Sequence, residues 1–324
     1  MFRRRSLVVF WCVAVLSVAT WSFADGSDPN KGMEGAAFML AVPFTTITSA
    51  GPLTDIFVGA EASTQIAHVL DGSTYQIYPS STTPGDYGTF IVVADTLYAP
   101  DFANHDGTAT SSIGAYTPFT MVSQTPVTGS GTSGDPLMVT TVVDVGMTGL
   151  QLEQTEMYVI GQESYRTHLD LTNTGDVPVD VILYRAFDCY LQASDSSYGM
   201  QSGTSVGCSE YPYNVPFGRI EQLLPITAGN NYYQANYSEV WSAIGTHLPF
   251  NDTCRCSELI DTGAGISWSA TVPAGATSVF EHDTVFSPTG TAGAAAVPTL
   301  SGIGIVVFIG LMAFLGVATF YWRR

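Results

Sequence analysis

The chain has 324 residues with 28 Asp and Glu against 10 Lys and Arg. The basic residues gather at its ends, so that between Asp25 and Val297 only Lys31, Arg166, Arg185, Arg219 and Arg255 remain. A body this acidic repels phosphate backbones, which excludes nucleic acid and anionic membrane surfaces as partners and leaves cations, basic proteins and neutral glycans.

Residues 1–24 have the layout of a secretory signal. Arg3-Arg4-Arg5 make a basic start, Leu7 to Phe23 a short apolar run, and Ser22-Phe23-Ala24 a small-residue cleavage site. The mature chain is therefore expected to begin at Asp25, with a polar segment over 25–32.

From 33 to 288 the signals are those of strands and turns, and the length suffices for one large domain or two smaller ones. Strand-like runs cover Ala37 to Thr48, Thr89 to Ala99, Leu137 to Val145, Leu150 to Ile160, Gly265 to Val272 and Thr277 to Phe286. The clearest alternation is Tyr165 to Leu171. With the Asn173-Thr174-Gly175-Asp176 turn and Val179, Val181 and Leu183 beyond it, this pair reads as a hairpin with one wet face. No amphipathic helix of useful length intervenes, and Arg219 to Leu224 is the only short candidate.

Thirty-two glycines and seventeen prolines punctuate these runs. The predicted fold class is all-β, a large antiparallel β-sandwich ectodomain over 33–288. Its long hairpins with an Asn-Thr-Gly turn resemble the supersandwich of mutarotase-like and polysaccharide-lyase C-terminal domains. The polar stretch 125–136 is the candidate internal boundary, with one continuous domain expected.

Two catalytic patterns occur in the wrong context. Gly129-Ser130-Gly131-Thr132-Ser133-Gly134 matches a dinucleotide loop, but a strand-like Leu137-Met138-Val139 run follows where a helix N-terminus is required. Gly203-Thr204-Ser205-Val206-Gly207 matches a nucleophile elbow, yet Ser196 to Ser202 is polar and Pro212 and Pro216 follow closely, so it reads as a loop pinned by Cys208. No catalytic residue and no cofactor site is expected.

The histidines His68, His105, His168, His247 and His282 form no metal-binding pair. His168 and His282 read as polar residues on strand surfaces. Asp101 and Asp106 in one loop, and Asp188 and Asp195 in another, are the candidate ligands of a structural calcium ion. Tyr211, Tyr213, Tyr232, Tyr233, Tyr237 and Trp241 read as half-buried packing, with stacking on sugar rings as the functional alternative.

Cys12 lies in the signal, leaving Cys189, Cys208, Cys254 and Cys256. An even number in an oxidising compartment reads as two disulfides, with three connectivities open. Cys254-Arg255-Cys256 is too tightly spaced for a zinc site, and pairing across one residue makes crossed linkages a rival.

Residues 289–300 form a spacer leading into Val297-Pro298-Thr299-Leu300-Ser301. An uncharged stretch over 301–322 follows, with Tyr321 and Trp322 at its end, then Arg323-Arg324. About twenty apolar residues reach across a bilayer core, and the terminal arginines are expected on the cytoplasmic side.

This order of motif, hydrophobic helix and Arg pair resembles the IPTL-type C-terminal sorting signals, relatives of the PEP-CTERM signals of exosortase-containing bacteria. The resemblance implies delivery to the cell envelope, with membrane anchoring and a sorting protease as partners. Two readings of the body remain: a non-catalytic surface sandwich for adhesion, matrix or envelope contacts, and a carbohydrate-binding or carbohydrate-active ectodomain.

Overall fold

Period-two alternation is realised as strands through residues 43–69, 75–105, 110–212 and 218–286, which this computed structural model describes. The expected signal, sorting motif, membrane helix and terminal arginines lie outside the described residues. A short meander comes first: β1 (Phe44–Thr48), β2 (Leu53–Gly59) and β3 (Thr64–His68). Next are β4 (Tyr87–Val93), β5 (Thr96–Ala99) and the two-residue β6 (Thr117–Pro118), then β7 (Thr120–Gln124), β8 (Leu137–Asp144), β9 (Leu150–Tyr158) and β10 (Ser164–Asn173). After β11 (Val179–Asp188) come β12 (Ser196–Ser202), β13 (Ser205–Ser209), β14 (Ile220–Pro225) and β15 (Asn231–Asn236). Helix α1 (Tyr237–Ile244) precedes β16 (Thr253–Cys254), β17 (Leu259–Val272) and β18 (Thr277–Val285).

Apart from the meander, the strands hydrogen-bond in one path, β6-β5-β4-β11-β17-β12-β13-β14-β18-β10-β9-β8-β7, with β15 beside β17 and β16 beside β15. The path doubles back on itself as a sandwich. Its fold line is the fourteen-residue β17, which pairs with β12 through Leu259 to Asp261 and with β11 through Gly263 to Val272. One core fills the space between the halves: Ile91, Leu183 and Phe187 from one side meet Leu152, Leu169 and Phe280 from the other. The meander closes it with Ile47, Ile56 and Ile66.

The two halves differ in burial, and the difference accounts for their sequences. Strands β9 and β10 alternate buried and accessible residues, as expected for a sheet with one wet face. Strand β4 is buried along its whole length, because the outer surface of its half is covered. There Phe90, Tyr184, Phe102, Trp241, Ile244 and Phe250 form a second cluster under α1. Such doubly covered strands read as continuous apolar runs.

Three sequence expectations are corrected here. The helix is α1, not Arg219 to Leu224, which extends as β14. Its signal is present, since Tyr237, Val240, Trp241 and Ile244 recur at helical spacing and are all buried. Asn236 caps it by accepting from the Ser238 N–H. A β-branched and aromatic composition masks so short a period, and each fully buried side chain of this size contributes about 1.5–3 kcal/mol that local propensity does not register.

Residues 165–183 are not a hairpin. β10 pairs with β9 and β18, whereas β11 pairs with β4 and β17 in the opposite half. The Asn173 side chain holds the crossover by donating to the carbonyls of Val177 and Val272 and accepting from the Gly175 N–H. An arch between sheets and a hairpin within one sheet leave the same alternation in the chain.

Finally, Thr89 to Ala99 is a hairpin rather than one strand. Val93 pairs with Thr96 across Ala94 and Asp95, both at positive φ, 47° and 65°, as a two-residue primed turn demands. The segment 125–136 joins β7 to its neighbour β8.

Candidate binding groove and buried polar groups

Strands β4, β11 and β17 run side by side and emerge from beneath α1 at one end of the sandwich. A groove of about 510 Å³ opens there. Val92 and Ile182 form its apolar floor, and Asp95, Asp180, His247, Ser269 and Thr271 supply polar groups. The primed turn carries Asp95 to the rim, and the residues that end α1 bring in His247, itself at φ 60°. Asp95 Oδ1 lies 2.8 Å from His247 Nδ1, and Thr271 Oγ1 donates to Asp180 Oδ1 at 2.6 Å. Both carboxylates are exposed. The groove thus presents hydrogen-bond acceptors and an imidazole beside a non-polar surface, with no Lys or Arg among the described lining residues.

The residues singled out in the sequence go elsewhere. The cysteines form two disulfides, Cys189–Cys208 and Cys254–Cys256, which excludes crossed pairing. Ser205 opens β13, a strand in a hairpin with β12, and is buried rather than displayed on an elbow or a loop. Residues 129–135 form a turn-rich loop in which Ser130, Gly131 and Thr132 donate to the Asp135 carbonyl.

Of the calcium candidates, Asp106 lies outside the described residues. Asp101 accepts from the Asn104 amide and Asp188 is sealed at the end of β11. Among the described residues no trio of carboxylates forms at either acidic loop. Tyr237 and Trp241 are core, and Tyr233 stacks on Phe250 at 5.8 Å. Tyr213 also lies outside the described residues.

His168 sits on the wet face as expected, between Glu281 at 2.8 Å and Asp170 at 3.1 Å. His282 does not: it is fully buried and accepts from Arg185 Nε at 3.0 Å. The reading of it as a surface residue fails because β18 lies in the middle of its half, with one face turned wholly inward.

Around His282 is a polar network inside the apolar core. Arg185 Nη1 donates to Thr89, which donates to Gln154; Gln154 and Thr167 both donate to Glu156. Arg185 Nη2 lies 3.8 Å from Glu156, and its guanidinium carbon stands 4.2 Å over the Tyr87 ring. Burial pushes the Glu156 carboxyl up, against the pull of Arg185. The same confinement, with the Arg185 charge, drives the His282 imidazole well below its usual value.

A different arrangement stands at the Cys189–Cys208 end. Glu221 faces Cys208 across the β13–β14 ladder and is fully buried, with neither carboxylate oxygen hydrogen-bonded among the described residues. Burial, reinforced by the nearby Asp188 charge and opposed by Arg219, holds its carboxyl well above the ordinary range.

No protein-family model matches the chain. No curated protein matches it either. Among solved structures, a bacterial glucoamylase complexed with acarbose aligns at TM-score 0.45 and 10% identity over 77% of this chain and 33% of that one. The α-galactosidase from Lactobacillus brevis aligns at 0.44 and 10% over 77% and 40%, and a GH36 α-galactosidase from Geobacillus stearothermophilus at 0.41 and 9% over 76% and 41%. The chain spans less than half the length of these enzymes. At such TM-scores the likeness assigns neither fold nor activity.

Proposed function

We propose that the chain is an exported envelope protein whose sandwich binds a neutral glycan in the groove between Asp95, Asp180 and His247, without cleaving it. The groove carries the reading. Carboxylates, hydroxyls and an imidazole beside Val92 and Ile182 match a sugar ring, whose hydroxyls need hydrogen-bond partners and whose C–H face needs an apolar surface. The acidic surface excludes polyanionic alternatives. A glycosidase keeps its acid protonated in an apolar pocket, whereas both groove carboxylates are exposed. Export is supported by the basic, apolar and small-residue order of the first 24 residues and by the two disulfides, which suit an oxidising compartment.

The test is retention and product release on a panel of neutral polysaccharides, with the full chain and with Asp95→Ala, Asp180→Ala and His247→Ala. Saturable retention that falls about tenfold in each variant is expected, the loss of a hydrogen bond to a charged group being worth about 1.5 kcal/mol or more. Product release, or retention indifferent to all three substitutions, overturns the reading. Protease added to intact spheroplasts should digest the body, and full protection would refute export.

A further inference from the structure

We propose that Cys189, Cys208 and Glu221 form a site for a thiophilic divalent cation, typified by zinc, that is available only when the Cys189–Cys208 disulfide is reduced. The three side chains come from three strands or their extensions: Cys189 follows β11, Cys208 lies on β13, and Glu221 faces Cys208 from β14. Both sulfurs and a carboxylate oxygen lie within 4.8 Å of one another, and all three residues are fully buried. Ligand atoms around a tetrahedral zinc ion stand about 3.6–3.8 Å apart, given metal–sulfur bonds of about 2.3 Å and metal–oxygen bonds of about 2.1 Å. Small side-chain rotations close the difference. The Cα atoms of the two cysteines are 6.7 Å apart. That is near the wide end, about 6.8 Å, of what a disulfide spans, so the sulfurs can separate onto a metal without a shift of the strands.

Glu221 supplies an independent observation. A buried carboxyl normally has hydrogen-bond partners, and its isolation costs free energy in a site that offers it no other compensation. Neither of its oxygens has a partner among the described residues, although it stands beside two potential soft ligands. A divalent ion would satisfy it. Two thiolates and a carboxylate exceed the charge of such an ion by one, and Arg219, whose charge already acts on Glu221, offsets the remainder. The bland alternative is a structural crosslink with a poorly solvated glutamic acid packed against it.

The chemistry balances with a dithiol as reductant. Its two thiols give up two electrons and two protons and close to a disulfide, while the Cys189–Cys208 bond opens to two thiols. Binding of the ion then displaces the thiol protons. Reoxidation reverses the sequence and expels the ion. The site therefore belongs to the chain before its crosslink closes.

The experiment uses the full chain carrying C12S, C254S and C256S, reduced with a dithiol, desalted without oxygen and titrated with cobalt(II). One ion per chain is expected, with thiolate-to-cobalt charge-transfer absorption and displacement by zinc. The oxidised chain should give no such absorption. Adding C208S should abolish it, and E221Q should weaken cobalt binding at least tenfold. Should E221Q fail to fold by circular dichroism, E221L is titrated in its place, with protection of both parent thiols from alkylation by one equivalent of zinc as the second readout. Absence of charge transfer in the folded reduced chain, equal cobalt affinity without the Glu221 carboxylate, or unprotected thiols overturns the proposal.

Discussion

At the centre of the sandwich Arg185 and Glu156 are sealed from water; four hydrogen bonds tie them to Thr89, Gln154, Thr167 and His282, and a fifth joins Thr89 to Gln154. At the end of the same interior Glu221 is sealed as completely with no hydrogen bond to either oxygen among the described residues, beside a covalent crosslink. The contrast separates two ways of holding ionisable groups in an apolar interior. The central network fixes the facing halves through directional contacts, and every member depends on the others. The outer end relies on the crosslink, leaving Glu221 chemically idle in the oxidised chain.

The largest effect should come from breaking the centre. Arg185→Met leaves Glu156 buried without its cation and should cost about 3–5 kcal/mol in urea unfolding, while R185M combined with E156M should recover most of that loss. If the double variant is as unstable as the single one, the network is not a coupled unit. Removing the crosslink with C189A and C208A together should cost about 3 kcal/mol, from the entropy regained by the unfolded chain. That effect should be additive with E221L only if the carboxyl contributes nothing in the oxidised state.

Glu221→Leu itself should change stability by less than about 1 kcal/mol at pH 4, since no hydrogen bond is lost. Because the folded-state pKa of Glu221 is raised, its favourable balance is fully present below the unfolded value of about 4.3 and is lost as pH rises toward the folded value. The variant should therefore gain on the parent between those limits, as followed by thermal melts across pH; a difference independent of pH would refute the assignment.

The smallest effect belongs to His168 on the wet face. Partial burial disfavours its protonation, but the Glu281 hydrogen bond and the Asp170 and Glu281 charges outweigh this and raise its pKa above 6.5. Its contribution is present below that value and fades as pH rises through the raised one. H168Q should cost under about 1 kcal/mol at pH 5.5 and nothing at pH 9, with added salt shrinking the difference.

The strand content of the body was legible because alternation is a local property, and β8, β9 and β18 fall close to the runs read from sequence. Which strands pair was not legible. Asn173 to Val179 joins opposite halves, and only distant partners such as Val272 determine that. The buried network left a trace: Arg185 stands between Leu183 and Phe187, and Glu156 follows Leu152 and Gln154 and precedes Tyr158, at inward positions of their strands. A charge on the dry side of an alternating strand is a signal for such a site. The groove left none, because Asp95 and His247 meet only once a turn and a helix end, 152 residues apart, are brought together.

The position of β18 has a mechanical consequence. The last described strand is clamped on both sides, by β10 along nine residue pairs and by β14 along four. Tension applied beyond Phe286 along the strand axis would meet these ladders in shear, with the antiparallel hydrogen bonds lying across the direction of pull. Many bonds must then yield together rather than one after another. A body tethered through that end would resist load at its attachment point.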